Sequence, residues 1–102
     1  MPAPNMAPAL DPLPEGWSPT VLNGAAAIEK RWRLANFAQA MALATAVAEL
    51  AEALNHHPEL HVAWGHLRVV WTTHDAGGVT ALDVQAAHAT DALAADLLPR
   101  TS

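Results

Sequence analysis

Apolar positions recur with two different periods along this chain, and each change of period marks out an element. Residues 17–22 read as a short strand, and the Asn23-Gly24 that follows is a strong hairpin-turn dipeptide. Residues 27–34 alternate, with Ile28, Lys30, Trp32 and Leu34 on one side and Glu29, Arg31 and Arg33 on the other. That is the period of a strand with one wet face. The step changes after Asn36, a residue suited to capping a helix. Phe37, Ala40, Met41, Ala44, Val47, Ala51 and Leu54 then recur every three or four residues. They predict a long amphipathic helix over 36–54 whose Phe and Met stripe belongs to the core. The helix must stop within 55–57, because the residue before Pro58 is pushed away from helical angles.

Residues 60–64 and 67–73 predict a second hairpin that turns at Gly65-His66. Leu67, Val69, Trp71 and Thr73 alternate with His66, Arg68, Val70, Thr72 and His74, so His74 is expected opposite Trp71 at the strand's end. Gly77-Gly78 turns the chain, and Thr80-x-x-Asp83 is a capping-box signature that opens the last helix. Its inner stripe is read as Leu82, Ala86, Ala89, Leu93 and Leu97, with a weaker one of Val84, Ala87, His88, Ala95 and Leu98. Pro99 ends it. A helix apolar on two sides needs a second partner, and a neighbouring subunit is the natural one. Strand-strand-helix-strand-strand-helix predicts an α+β domain, a four-stranded antiparallel sheet with helices packed on one face.

Composition narrows the picture. At 102 residues the chain is one domain, and a 52% hydrophobic share excludes a disordered one. Alanine supplies much of that share and gives little burial per residue, so self-association is expected to complete the fold. Residues 1–15 hold most of the eight prolines and read as a flexible arm, leaving 16–102 as the folded domain. The absence of cysteine removes disulfides and thiolate metal sites. The N-terminus lacks the basic start and apolar core of a signal peptide, and the longest apolar run, 40–48, is far short of the ~18 residues of a membrane span. A cytoplasmic protein is expected. A net charge of −5 argues against nucleic acid or an anionic membrane as partner, and Lys30, Arg31 and Arg33 read as a solvated strand face.

Candidate chemistry gathers in 52–83, where three histidines stand beside turn-forming residues: His56 and His57 before Pro58, and His74 after Thr72-Thr73 and before Asp75. Histidine alone has an unperturbed pKa, ~6.5, that lets it both accept and donate protons near neutral pH. Three together suit a proton-shuffling reaction on an uncharged substrate. Adjacent residues in an extended segment point opposite ways, so His56 and His57 are expected to do different jobs. His57 and His61 have the four-residue spacing of helical metal ligands, but Pro58 puts His57 outside any helix it begins, and no HExxH occurs. No metal is expected, and His61, His66 and His88 read as surface residues. Asp83 has two readings, a cap on the first helical turn or an anchor for a histidine or substrate. Glu52, one turn before His56, either bonds an imidazole or is simply solvated. Trp64 reads as core or pocket wall.

These residues resemble the signature of the pterin-4a-carbinolamine dehydratases. That signature is an acidic residue (Glu52), three residues, His56-His57-Pro58, an aromatic (Trp64), Thr73-His74 and a downstream Asp83. The resemblance extends back through Gly16-Trp17 and 28–54. Leu60 departs from the aromatic often found after this His-His-Pro-Glu, and Asn55 from a frequent Asp. The resemblance implies dehydration of 4a-hydroxytetrahydrobiopterin to quinonoid dihydropterin by histidine acid–base catalysis, with no cofactor. It implies His56 and His74 as the proton-transfer pair and His57 as the residue that orients the pterin. Polar groups for the ring come from 55–57 and 72–75, with Glu52, Trp64 and Asp83 in support. It also implies a sheet extended across a homodimer or homotetramer interface. The alternative within the same fold is a non-catalytic member, either a transcription cofactor or a RuBisCO-associated assembly factor.

Overall fold

The computed structural model describes residues 13–98. Its elements are β1 (Ser18–Leu22), β2 (Ala25–Arg33), α1 (Phe37–Leu54), β3 (Glu59–Ala63), β4 (His66–Trp71), a 3₁₀ turn (His74–Ala76) and α2 (Ala81–Leu97). All strand pairs are antiparallel and the sheet runs β1-β2-β4-β3. The expected α+β fold is present. Asn23 and Gly24 both take positive φ, 52° and 83°, as a tight turn matched to the strand twist requires.

Register sorts the side chains into two faces. Ile28 pairs with Trp71, Lys30 with Val69 and Trp32 with Leu67, and Leu60 and Val62 of β3 continue the last two rows. This face carries the helices: α1 packs on β3 and β4, α2 packs on β4, and the helices pack on each other. The opposite face carries Glu29, Arg31 and Arg33 of β2 beside Val70, Arg68 and His66 of β4. Lys30 therefore departs from the solvated face assigned to it. It points among the helices, where its Nζ lies 2.9 Å from Asp91 of α2, and the Trp17 indole N–H shares that carboxylate at 3.1 Å.

Both helices start as expected but bury different stripes. Asn36 caps α1 through the Gln39 N–H, and Asn55 closes it in the left-handed conformation at φ 53°. The buried residues are Ala40, Leu43, Ala44, Val47 and Ala51, whereas Phe37 and Met41 are exposed. Those two lie roughly 60° and 100° round the helix from Ala40, on a flank neither the sheet nor α2 covers. With 18 residues at mean hydropathy 1.3, α1 matches a membrane span in length and composition, yet its inner stripe packs on the sheet. In α2 the buried stripe is Asp83, Ala86, Ala87, Thr90 and Ala94, rotated by roughly 80° from the expected one. Two of its members are polar, so counting apolar residues alone misplaced it.

Smaller corrections concern strand ends. The second hairpin turns at Trp64-Gly65 rather than Gly65-His66, with Gly65 at φ 69° and its carbonyl accepting the Leu34 N–H at 2.9 Å. β4 ends at Trp71, and Thr73 makes only an isolated bridge to Gly78. Within the expected arm, Leu13 packs on the core and Pro14 is buried, while 1–12 and Pro99 lie outside the described residues.

Candidate active site

Three loops meet at one end of the sheet and enclose a cleft of about 380 Å³. The β1–β2 turn supplies Leu22 and Asn23, the α1–β3 connection supplies His56, His57 and Pro58, and the segment after β4 supplies Thr72, Thr73, His74 and Asp75. Val70 and Glu59, cross-strand partners on the open face of the sheet, line it as well. Pro58 and the left-handed Asn55 stop α1 abruptly, which turns His56 and His57 out of the helix at the cleft's edge.

The three histidines are held very differently. His56 Nε2 lies 2.6 Å from Asp83 Oδ1, and its ring stacks on the fully buried Trp71 with centroids 5.4 Å apart and planes 21° apart. Asp83 is itself fully buried. Its other oxygen accepts the Thr73 hydroxyl at 2.6 Å and the Thr80 backbone N–H at 2.9 Å. Asp83 thus fills both roles considered for it, closing the capping box of α2 and anchoring an imidazole. His57 Nε2 meets Glu52 Oε2 at 2.7 Å in a pair exposed on both sides. His74, the first residue of the 3₁₀ turn, is exposed and has no side-chain hydrogen bond among the described residues.

The donors at Asp83 set which nitrogen of His56 faces it as a donor. With the Thr73 hydroxyl and the Thr80 N–H both donating to Oδ2, Oδ1 is the oxygen left to accept the His56 Nε2–H. In the neutral ring this places the lone pair on Nδ1, which has no partner among the described residues.

The structure brings His56, His57, Thr72, Thr73, His74 and Asp75 together, and Glu52 and Asp83 reach the cleft through histidines. Two expected residues fall outside it. Asn55 serves as the helix cap, and Trp64 stands at the hairpin turn with 72% of its surface exposed, outside the core and away from the cleft of its own chain. Leu22, Asn23 and Val70 line the cleft although nothing in their spacing singled them out. Asn23 was legible only as a turn residue; its place at the cleft follows from β2 lying next to β4 rather than β3. No group of three or more metal-ligating side chains is clustered among the described residues.

Fold and cleft together define a small α+β protein with a histidine-lined pocket at one end of its sheet. Residues 1–93 match the family model described as pterin 4 alpha carbinolamine dehydratase, and the chain belongs to that family. A protein of Rhodopseudomonas palustris, provisionally named pterin-4-alpha-carbinolamine dehydratase, is 45% identical over 90% of this chain and 88% of its own. A provisionally named pterin-4-alpha-carbinolamine dehydratase 2 of Gloeobacter violaceus is 44% identical over 79% of this chain and 87% of its own. Among solved structures, the transcriptional coactivator/pterin dehydratase of Brucella melitensis superposes with a TM-score of 0.73 at 33% identity, covering 92% of this chain and 97% of that one. A pterin dehydratase-like protein described as a RuBisCO assembly factor in the alpha-carboxysome shares the fold, with a TM-score of 0.64 at 22% identity over 78% of this chain and 90% of its own.

Proposed function

We propose that this protein is a cytoplasmic 4a-hydroxytetrahydropterin dehydratase that works as a homo-oligomer. The observation carrying this reading is the shared cleft: His56 bonded to the buried Asp83 on one side, and on the other His74, with no side-chain partner among the described residues. Dehydration of the carbinolamine breaks the C4a–O bond and a ring N–H bond, forms a C=N double bond and releases water. His56 Nδ1, its lone pair kept free by the Asp83 bond at Nε2, takes the ring proton. His74 gives a proton to the departing hydroxyl, and its lack of a fixed partner lets it turn toward the leaving group. His57, steadied by Glu52, binds and orients the ring. Thr72, Thr73 and Asp75 offer hydrogen bonds to its polar edge.

Stopped-flow dehydration of the 4a-carbinolamine tests this. His56→Ala and His74→Ala are each expected to lower kcat by about 10²–10⁴-fold, whereas His57→Ala mainly raises KM. A wild-type protein no faster than buffer would rule the reading out in favour of a binding role, like that of the coactivator for which the Brucella protein is also named. Unchanged turnover by His74→Ala would remove His74 from the mechanism.

A further inference from the structure

Three polar side chains are buried among the described residues, Thr72, Asp83 and Thr90. Thr72 donates to the Ala26 carbonyl at 2.6 Å and ties β4 to β2. The other two lie on α2 and both lead to His56. Asp83 holds its Nε2 directly. Thr90 donates its hydroxyl hydrogen to the Ala86 carbonyl at 2.7 Å, which aims an oxygen lone pair at the Trp71 indole N–H, 3.2 Å away. Trp71 in turn lies flat beneath the His56 ring. Asp83 and Thr90 are seven residues apart, two helical turns on one stripe, roughly 10 Å along the axis. Between them stand Ala86 and Ala87, both fully buried and small enough to let the indole lie against the helix.

We infer that Trp71 and Thr90 are positioning residues for the reaction: Thr90 tethers the indole, and the indole sets the plane of the His56 ring. The inference rests on the dehydratase reading. A hydrogen bond at Nε2 fixes where the edge of the imidazole lies but tolerates tilt of its plane. A flat surface under the ring removes that tilt, provided the surface cannot itself slide. The Thr90 oxygen supplies that condition by pinning the far edge of Trp71. One rigid helix therefore sets both the edge and the plane of the imidazole, and Nδ1 keeps a constant direction into the cleft. Proton transfer is sensitive to such direction, and misplacement by about an ångström costs on the order of 10²-fold. Ordinary core packing would also bury a tryptophan and satisfy its N–H, but it predicts no effect on His56.

Thr90→Val, nearly isosteric and lacking the hydroxyl, separates the two, with Thr90→Ser restoring it and Trp71→Phe as a second variant that keeps a flat face without the tether. Dehydration kinetics and the His56 ring-proton resonances, expected upfield because of the stacked indole, are read on the same proteins, with thermal melts confirming that each is folded. Thr90→Val and Trp71→Phe are expected to lower kcat by about three- to tenfold with KM within twofold. In Thr90→Val the His56 resonances move toward unstacked values, and Thr90→Ser returns both readings. A folded Thr90→Val protein with unmoved resonances overturns the inference, whatever its turnover. So does one whose resonances move while kcat stays at the wild-type value. A wild-type protein without turnover would sink the dehydratase reading and the catalytic half of the inference. A resonance shift lost in Thr90→Val and regained in Thr90→Ser would still uphold the tether.

Discussion

His56 and His74 line the same cleft, yet one is clamped and the other is loose. His56 is held at one nitrogen by a buried carboxylate and across its face by a buried indole, and only 11% of its side chain is exposed. His74 sits on a single 3₁₀ turn, exposed and without a side-chain hydrogen bond among the described residues. The difference follows from what each neighbours in the chain. His56 leaves a capped helix end and lands beside α2, whereas His74 follows the last ladder pair of β4 and stays exposed. A base that must receive a proton in one direction gains from being fixed in advance. An acid that follows a departing hydroxyl gains from freedom. On the proposed dehydratase reading, the asymmetry favours His56 as the base and His74 as the acid.

The strongest way to break this comparison is to unclamp His56. Asp83→Ala removes the anchor of the imidazole, the acceptor for the Thr73 hydroxyl and half of the capping box together. Losing a cap and leaving buried donors unpaired is expected to destabilise the domain by about 2–4 kcal/mol, read from denaturant unfolding. Asp83→Asn is the sharper variant. Its carboxamide oxygen still accepts the Thr80 N–H, but its NH₂ faces His56 and forces the proton onto Nδ1. Dehydration is expected to fall by about 10²–10⁴-fold, as for other histidines held in the wrong tautomer, with little loss of stability. Equal activity in Asp83→Asn would mean that His56 is not the base.

Much of this is legible in the sequence. The two hairpin–helix units, the Asn23-Gly24 turn and the Thr80–Asp83 box all follow from local chemistry, and local chemistry is what a sequence displays. The three histidines stood out for the same reason, each beside residues that end an element. What stayed hidden depends on packing between distant elements. Lys30 looked solvated because its partner, Asp91, lies 61 residues away. The Asp83–Thr90 stripe stayed hidden because two polar residues bury the face that a count of apolar ones would expose. Phe37 and Met41 read as core because a stripe's period does not say which flank meets the sheet. Asn23 and Val70 reached the cleft through strand order, which no local pattern encodes.

His57 lies between the two extremes and sharpens the comparison more gently. Its bond to Glu52 is made in the open, with 56% and 78% of the two side chains exposed. Water competes for both groups, and exposed pairs of this kind contribute little. Glu52→Gln keeps the length and an acceptor oxygen while removing the charge. KM is expected to rise by about two- to threefold with kcat and melting temperature unchanged, since about 0.5 kcal/mol corresponds to that factor. A fall in kcat beyond tenfold would mean that His57 is clamped in function though not in the free protein, and would move it to the side of His56.

The smallest expected effect is at Trp64, which tests whether the cleft is complete within one chain. Its ring is the most exposed large apolar side chain among the described residues and does not line the cleft of its own subunit. If the clamp on His56 and the freedom of His74 are both built from this chain alone, Trp64→Ser should leave dehydration within twofold. Stability should stay within about 0.5 kcal/mol, as for surface positions generally. A large loss of kcat in a folded Trp64→Ser protein would mean that a second copy brings this indole to the cleft. The exposure of His74 would then be a property of the isolated chain, and the contrast with His56 would disappear on assembly. Measuring turnover against protein concentration separates the cases, because a site completed by a second copy loses specific activity on dilution and one built within a single chain does not.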